Sequence, residues 1–412
     1  MHIASIESLD REGRGVAHVD GKTVFIDRAV PGEIVEYSPY RKKAAWEAAQ
    51  VVRVERESSA RVEPHCTFFD TCGGCSMQHI DARTQVAAKQ RVLEDALWHI
   101  GRVRPETMLG PVHGLSWGYR NRARLSARFV PKKGGALVGF RERKSTFVAD
   151  MVSCEVLPRQ VSDLIGPLRT LIGALVIRER LPQIEVAVGE ESVVLVLRVL
   201  APPGEDDAER LKQFAEEHAV QFWLQSAGPE SARPFWPLDA TSLYYSLPEY
   251  QVRIAFAPTD FTQVNHAVNR LLVRRTLSLL DPQPGERITD FFCGLGNFTL
   301  PIARCGANVL GVEGSGTLAP LSFRPRPEQR HRDQQRRDER EYLPANELRR
   351  MHEVIERAAG RRGARLRVPE RLRAMGHEPV EVRRHHHERD GGGDPGAGLR
   401  QPPARLRIEQ QK

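Results

Sequence analysis

Three cysteines within ten positions constrain the fold of this chain more than any other feature. Cys66, Cys72 and Cys75 lie in CTFFDTCGGC with the spacing C-x5-C-x2-C, and Cys154 follows far downstream. The 412 residues include only six cysteines. The N-terminus, MHIASIESLDREGRG, lacks the apolar segment of a secretory signal, so we expect a cytoplasmic protein, in which clustered thiols seldom form structural disulfides. The cluster therefore indicates a metal site, a reactive site or chance.

Three interpretations of the cluster remain open. Four thiolates suit a closed zinc site, but such sites usually pair two C-x2-C units and the second unit is missing. An iron–sulfur cluster also takes four thiolates, and three close ligands with one remote ligand is a common arrangement. Gly73 and Gly74 would let the backbone fold tightly around such a core. Free buried thiols that cluster by chance are the third and weakest interpretation.

Residues 1–56 are predicted to form short strands, because apolar and polar residues alternate between Gly and Pro breaks. This pattern favours a small β-barrel of the oligonucleotide-binding type. The segment YRKKAAW (40–46) combines cations with aromatic rings, which suits RNA contact and equally suits an ordinary strand connection. The net charge of +8 and pI of about 9.3 are compatible with a nucleic-acid partner. No apolar run approaches the roughly 18–20 residues that span a bilayer.

Residues 57–250 are predicted to be an α+β central domain that contains the cysteine loop. A helix over 83–101 is expected from the apolar spacing of Val86, Val92, Leu93 and Leu97. Residues 251–319 begin with a long amphipathic helix, FTQVNHAVNRLLVRRTLSLL, and continue as strand, glycine loop, helix and strand. This βαβ order predicts the start of a parallel, Rossmann-like α/β domain.

The glycine loop lies in DFFCGLGNFTLPIA (290–303), between a strand and a helix, where backbone N–H groups can point at a ligand. Gly294 and Gly296 permit close approach, but Thr299 replaces the third glycine of G-x-G-x-x-G, which disfavours a diphosphate. Glu313 ends the next strand, where an acidic residue can bind ribose hydroxyls. S-adenosylmethionine fits this pattern, and a tight turn that binds nothing is the alternative. Gln263 and Asn265 are predicted at the start of the preceding helix, where their side chains could face such a cofactor or cap the helix.

Residues 320–412 lose all periodicity, and about a quarter of them are arginine. We expect an irregular, disordered or frameshifted tail, apart from a plausible helix in ANELRRMHEVIERAAGRR. Our hypothesis is that the reading frame shifts near 318–321, because a parallel sheet begun at 288 needs further strands. Resequencing the gene tests it.

The motifs PHCTFFDTCGGCSMQHI, WGYRNRARL, GFRERKSTFVADMVSCEVLP, FTQVNHAVNR and DFFCGLGNFTLPIA together resemble the bacterial 23S ribosomal RNA (uracil-5-)-methyltransferases of the RumA (RlmD) type. The resemblance runs from residue 1 to about 318 and implies an N-terminal TRAM domain. It implies a [4Fe–4S] cluster on Cys66, Cys72, Cys75 and Cys154. It also implies S-adenosylmethionine bound through Gln263, Phe292, Asn297 and Glu313, and methylation of a flipped-out uracil, uracil-1939 of 23S rRNA.

The resemblance fails at the catalytic residues. The family's nucleophilic cysteine stands in a late S-C-N-P motif and its general base is a C-terminal glutamate, but the last cysteine of this chain is Cys305. We assign no catalytic residue. Three functions follow: the family's reaction on 23S rRNA, an inactive iron–sulfur RNA-binding remnant, or methylation of another rRNA or tRNA uracil. We expect a monomer with no obligate protein partner and no membrane association.

Overall fold

The computed structural model describes residues 2–239 and 242–313, and further along the chain only the backbone of short strands. The chain divides into two compact units, Met1–Leu280 and Asp281–Lys412. This division lies beyond the boundary predicted between residues 250 and 251, because the helix that ends at Leu280 belongs to the first unit. No helix among the described residues is long and apolar enough to cross a membrane.

Residues 2–56 form one six-stranded sheet, in the segments where alternation predicts strands. Ile26, Val35 and Ala49 are completely buried in its core. Asp20 and Gly21 form the turn between the third and fourth strands with φ of 49° and 76°, the left-handed values that a two-residue hairpin turn requires. The strand order is β1-β5-β6-β4-β3-β2, and β4 and β6 are parallel. The strands are β1 (His2–Ser5), β2 (Ser8–Leu9), β3 (Gly15–Val19), β4 (Lys22–Asp27), β5 (Ile34–Lys42) and β6 (Trp46–Arg56).

The cysteine segment follows, and then helix α1 (Ala82–Asp95), which continues as a wider helical turn to Ile100. Asp81 caps the helix by accepting the N–H groups of Arg83 and Thr84 at 2.9 and 3.1 Å. The helix lies where its apolar spacing predicts it. That spacing also predicts a core-facing stripe, but no residue of α1 is buried.

A second six-stranded sheet forms the centre of the first unit, in the order β12-β11-β10-β9-β7-β8. Strand β10 is almost entirely buried, and it runs parallel to β11 because α4 crosses between them. The strands are β7 (Arg122–Val130), β8 (Gly135–Gly139), β9 (Gln183–Val188), β10 (Val193–Arg198), β11 (Gln221–Gln225) and β12 (Arg233–Trp236). The helices are α2 (Arg159–Ser162), α3 (Ile165–Ala174) and α4 (Glu205–Glu217).

The first unit ends with a hairpin, β13 (Leu243–Leu247) and β14 (Val252–Phe256), and helix α5 (His266–Leu280). The sequence predicts a helix from residue 261, but residues 261–265 form neither helix nor strand. Two contacts with the central sheet hold the chain there: the Asn121 N–H donates to Val264 O at 2.7 Å, and the Arg122 guanidinium donates to Pro258 O at 2.6 Å.

The second unit contains the predicted βαβ element: β15 (Arg287–Phe291), α6 (Thr299–Arg304) and β16 (Asn308–Val312), with the two strands parallel. A short strand, β17 (Ser322–Phe323), pairs antiparallel with β16, so a third strand follows where the sequence predicts none. Two more short strands pair with each other, β18 (Val382–Arg383) and β19 (Arg407–Ile408). The helix predicted in ANELRRMHEVIERAAGRR and the rest of the predicted tail lie outside the described residues.

Candidate metal centre and cofactor loop

The cysteine loop is built on the chain that follows β8. Cys72 pairs with Glu142 in an antiparallel bridge, and the Gly73 N–H donates to Arg141 O at 2.8 Å. A Cβ atom on Gly73 would lie 3.0 Å from Arg141 O, and one on Gly74 would lie 3.1 Å from the Phe140 ring. The glycine pair therefore allows the loop to approach the chain that follows β8 closely. The sequence analysis gave a different reason for these glycines, which was tight folding of the backbone around a metal cluster.

The structure brings the four cysteines of the predicted ligand set to one cavity. Cys154, 79 positions after Cys75, lies on its wall because the segment before α2 folds back over the loop. Cys72 and Cys154 are buried, and the other two thiols are half-buried. The empty space measures about 300 Å³, part of it open to solvent. The walls consist of Cys66, Phe69, Cys72, Gly74, Cys75, Gln78, Phe140, Met151, Cys154, Glu155 and Val156.

Burial favours the neutral form of three of these thiols. It raises the pKa of Cys154 to about 11, and it raises the pKa values of Cys66 and Cys72 as well. Each neighbouring thiol adds to the shift, because two thiolates repel each other. A cationic metal or cluster would reverse the balance, since it stabilises thiolates.

The donor set fits a group that takes four thiolates, because four sulfurs that no disulfide joins share one largely apolar cavity. However, no three His, Cys, Asp or Glu side chains in the described ranges are arranged so that they could hold a metal ion. The two observations differ because the cavity shows which side chains face one another, whereas sulfur spacing depends on the group that they bind. The assignment of these cysteines as metal ligands stays a prediction.

A buried histidine lies behind the loop. His79 is 2% exposed, its ring lies 5.6 Å from that of Phe69, and neither ring nitrogen has a hydrogen-bond partner in the described part of the chain. Burial, together with the charge of Arg61 and against the opposing effect of Glu33, lowers its pKa to about 4. His79 is therefore a neutral imidazole at pH 7. The sequence offered no signal for it beyond its position after the cysteines.

The cofactor loop of the second unit has the backbone that its glycines predict. Phe292, Gly294 and Gly296 have φ of 62°, 55° and 89°. Phe292 is the costly member, because a bulky side chain seldom adopts this conformation, and its ring is 88% exposed. The Gly294 N–H donates to Glu313 Oε2 at 2.9 Å, so two predicted cofactor residues meet across the ends of β15 and β16. Asn297 follows in the same loop.

Thr299, at the position of the missing third glycine, is fully buried and donates to Asp290 Oδ2 at 2.7 Å. This bond fixes the start of α6 against the end of β15. Cys293 is buried beside the loop, and burial, with Asp290 and Glu313 nearby, raises its pKa to about 11. Burial also raises the pKa of Cys305. Neither thiol has the lowered pKa of an activated nucleophile.

In the first unit, Gln263 is exposed in the irregular segment before α5. Asn265 accepts the Val268 N–H at 2.9 Å and so caps that helix, which is the structural one of its two predicted roles. On the N-terminal sheet, the Arg41 guanidinium lies 5.3 Å from the Trp46 ring centroid, and Lys42 and Lys43 are exposed between them. This part of YRKKAAW presents cations and an aromatic ring together.

No family model matches the chain. A solved structure, the tRNA (uracil-54, C5)-methyltransferase of Pyrococcus abyssi in complex with S-adenosyl-L-homocysteine, aligns with 76% of this chain and 72% of its own length at a TM-score of 0.56 and 21% identity. The two chains therefore share a fold.

Three curated proteins are much closer in sequence, and each is named 23S rRNA (uracil(1939)-C(5))-methyltransferase RlmD. The Aromatoleum aromaticum protein is 58% identical over 318 residues, which are 77% of this chain and 73% of that protein. The Nitrosospira multiformis protein is 61% identical over 313 residues, 76% and 71% of the two chains. The Burkholderia cenocepacia protein is 58% identical over 322 residues, 77% and 69%. The chain belongs to this family of RNA-modifying enzymes, and the resemblance inferred from its motifs is confirmed.

Proposed function

We propose that the chain is an S-adenosylmethionine-dependent enzyme that methylates C5 of a uracil in 23S rRNA, at position 1939 as in the names of its relatives. The observation that carries this proposal is the identity of 58–61% to these enzymes over about three quarters of the chain.

The cofactor loop supports the choice of cofactor. S-adenosylmethionine supplies an electrophilic methyl group and presents a ribose without a diphosphate. We propose that Gly294 and Gly296 allow the backbone to approach it and that Glu313 accepts from the ribose hydroxyls. Glu313 already accepts the Gly294 N–H, so its carboxylate is held beside the loop. Phe292 and Asn297 complete the proposed set in this unit, and the assignment of Gln263 stays a prediction.

For the thiol cavity we propose a [4Fe–4S] cluster held by Cys66, Cys72, Cys75 and Cys154, with zinc as the competing occupant. The thiols are buried and their thiolate forms repel one another, which supports the presence of a group that stabilises four thiolates. Iron and sulfide content and visible absorbance of anaerobically purified protein separate the two. A colourless protein with one zinc per chain contradicts the cluster.

A second function, binding of RNA and cofactor without turnover, is favoured by the cysteine inventory. Four of the six cysteines line the thiol cavity, and burial raises the pKa values of Cys293 and Cys305. Methylation at C5 of uracil requires a thiolate that adds to C6, and a base that later removes the C5 proton. Cys293 and Cys305, the two cysteines outside the thiol cavity, lack the lowered pKa of such a nucleophile.

One experiment separates the two functions. The full chain is incubated with unmodified 23S rRNA and methyl-labelled S-adenosylmethionine, and the RNA is digested and searched for 5-methyluridine. Binding of RNA and of cofactor is measured in parallel, with Glu313→Gln as a variant expected to weaken only cofactor binding. Labelled 5-methyluridine supports the enzyme. Binding of both ligands without product supports the second function, and absence of all binding contradicts both. The same samples, analysed by light scattering, test the predicted monomer.

A further inference from the structure

One arginine, which no sequence motif singled out, holds the cysteine loop from both sides. The guanidinium of Arg143 donates to Phe69 O from Nε at 3.2 Å and from Nη2 at 3.1 Å, and Nη2 also donates to Cys75 O. Its backbone N–H donates to Thr71 O at 2.9 Å. Phe69 and Cys75 flank Cys72, so a single side chain joins the two ends of the loop that carries the thiols.

The chemistry of this contact is specific to arginine. A planar guanidinium presents several N–H donors in a fixed fork and can bind two carbonyls at once, whereas a lysine ammonium is a point charge on a flexible stem. The Arg143 guanidinium also lies 4.6 Å from the centroid of the Phe69 ring, which is 2% exposed. The fork is therefore held against a buried aromatic wall of the thiol cavity, and its geometry is fixed before any ligand binds.

The charge of Arg143 has the right sign for the site. Its guanidinium is held beside the Cys72–Cys75 turn by its hydrogen bonds to Phe69 O and Cys75 O. Arg28 approaches the same Phe69 ring at 5.6 Å, but its guanidinium pairs with Asp70 Oδ1 at 2.6 Å. The hydrogen bonds of Arg143 go to carbonyl oxygens instead, which carry no formal charge. Its positive charge therefore remains available to offset the charge of bound thiolates.

We propose that Arg143 is a positioning residue of the thiol site, which fixes the Cys72–Cys75 turn by bridging the carbonyls of Phe69 and Cys75 and offsets part of the thiolate charge. The inference rests on the proposed use of the four cysteines as ligands. It requires no particular metal, because both effects act on the thiolates themselves. Residues that orient metal ligands through hydrogen bonds typically strengthen metal binding by about 10- to 100-fold.

The test uses Co²⁺ as the probe, because its thiolate charge-transfer absorbance reports ligation by sulfur independently of methylation. The full chain is stripped of metal anaerobically and titrated with Co²⁺ as wild type, Arg143→Gln, Arg143→Lys and Arg141→Gln. Arg141 is an exposed arginine two positions away in the same segment and is the matched control. We expect Arg143→Gln to weaken Co²⁺ binding about 10- to 100-fold. Arg143→Lys should weaken it less, because it keeps the charge and loses the fork, and Arg141→Gln should bind as wild type does.

The outcomes are distinct. Equal affinities of Arg143→Gln and Arg141→Gln overturn the proposal. If circular dichroism shows that Arg143→Gln does not fold, Arg143→Lys decides: weaker binding than in Arg141→Gln supports the positioning role, and equal binding overturns it. Absence of thiolate-to-cobalt absorbance in the wild type contradicts the thiol site itself, and with it this inference, while leaving the methylation assay unaffected.

Discussion

Arg61→Met tests whether one buried ion pair fastens the N-terminal sheet to the cysteine segment. Glu33, in the turn before β5, is completely buried, and its carboxylate lies 2.5 Å from Arg61 Nε and 2.9 Å from Nη2. Arg61 Nη2 also donates to Arg28 O at 2.8 Å, and the Val30 N–H donates to Glu33 at 2.9 Å. The carboxylate therefore depends on Arg61 for its only close opposite charge in the described structure.

The expected loss follows from what the substitution leaves behind. Methionine retains most of the buried stem, so little cavity forms, but the Glu33 carboxylate stays buried without a cation. Breaking a buried pair in this way costs about 3–5 kcal/mol. The lower end applies, because the Val30 hydrogen bond remains and the Arg61 side chain is 21% exposed. A loss of about 3 kcal/mol corresponds to about a 100-fold change in the opening equilibrium of the sheet.

Native-state hydrogen exchange of the β4 and β5 amides measures this opening directly. The matched control is Arg91→Met, because Arg91 pairs with Asp95 across one helical turn with both side chains largely exposed, and such pairs contribute at most about 0.5 kcal/mol. Adding Glu33→Gln to Arg61→Met should recover part of the loss, since no charge is then left buried. Protection in Arg61→Met equal to that in Arg91→Met, or a double variant less protected than Arg61→Met, would refute the reasoning.

Three further changes test other parts of the site. Gly73→Ala should lower the free energy of unfolding by about 1–3 kcal/mol, because its Cβ meets a backbone carbonyl at 3.0 Å, whereas Gly166→Ala, in open space on α3, should raise it by about 0.5–1 kcal/mol in urea titrations. His79 has a pKa of about 4 in the folded chain and 6.5 in the unfolded chain. The free energy of unfolding should therefore be largest above pH 6.5 and decrease by up to about 3 kcal/mol as the pH falls towards 4. The variant His79→Phe should show a flatter dependence of stability on pH. Cys154→Ser should reduce bound metal per chain in elemental analysis, and Cys305→Ser should not.

Sequence patterns within a few residues predicted where the helices and strands lie better than they predicted which of their residues are buried. The Asp81 cap and the apolar spacing place α1 correctly, because both act within a few residues of chain. The same spacing predicts a buried stripe that the helix lacks, since burial depends on which surface the rest of the chain offers. The predicted start of α5 was wrong for a similar reason: contacts of Asn121 and Arg122 hold the chain on either side of residue 261 outside the helix.

The candidate site shows the same division between local and long-range information. The spacing of Cys66, Cys72 and Cys75 identified the thiols, and only the fold shows Cys154 on the same cavity wall. Arg143 lies within the motif GFRERKSTFVADMVSCEVLP, but the sequence did not predict its role. In a chain this rich in arginine, nothing local distinguishes a guanidinium that binds protein carbonyls from one that faces solvent. Its role depends on the pairing of two segments about 70 residues apart, which pattern and composition do not encode.

This long-range use of cations changes what the net charge of +8 implies. Arg61 binds a buried carboxylate, Arg28 pairs with Asp70, and Arg143 binds carbonyls beneath the cysteine loop. These cations bind groups of the protein itself, and they hold the cysteine segment between the N-terminal sheet and the chain that follows β8. A phosphate backbone can meet only cations that the fold leaves at the surface. The exposed pair Lys42 and Lys43 fits that requirement, so an RNA footprint is expected to begin at the β5–β6 connection and to exclude the cysteine segment's arginines.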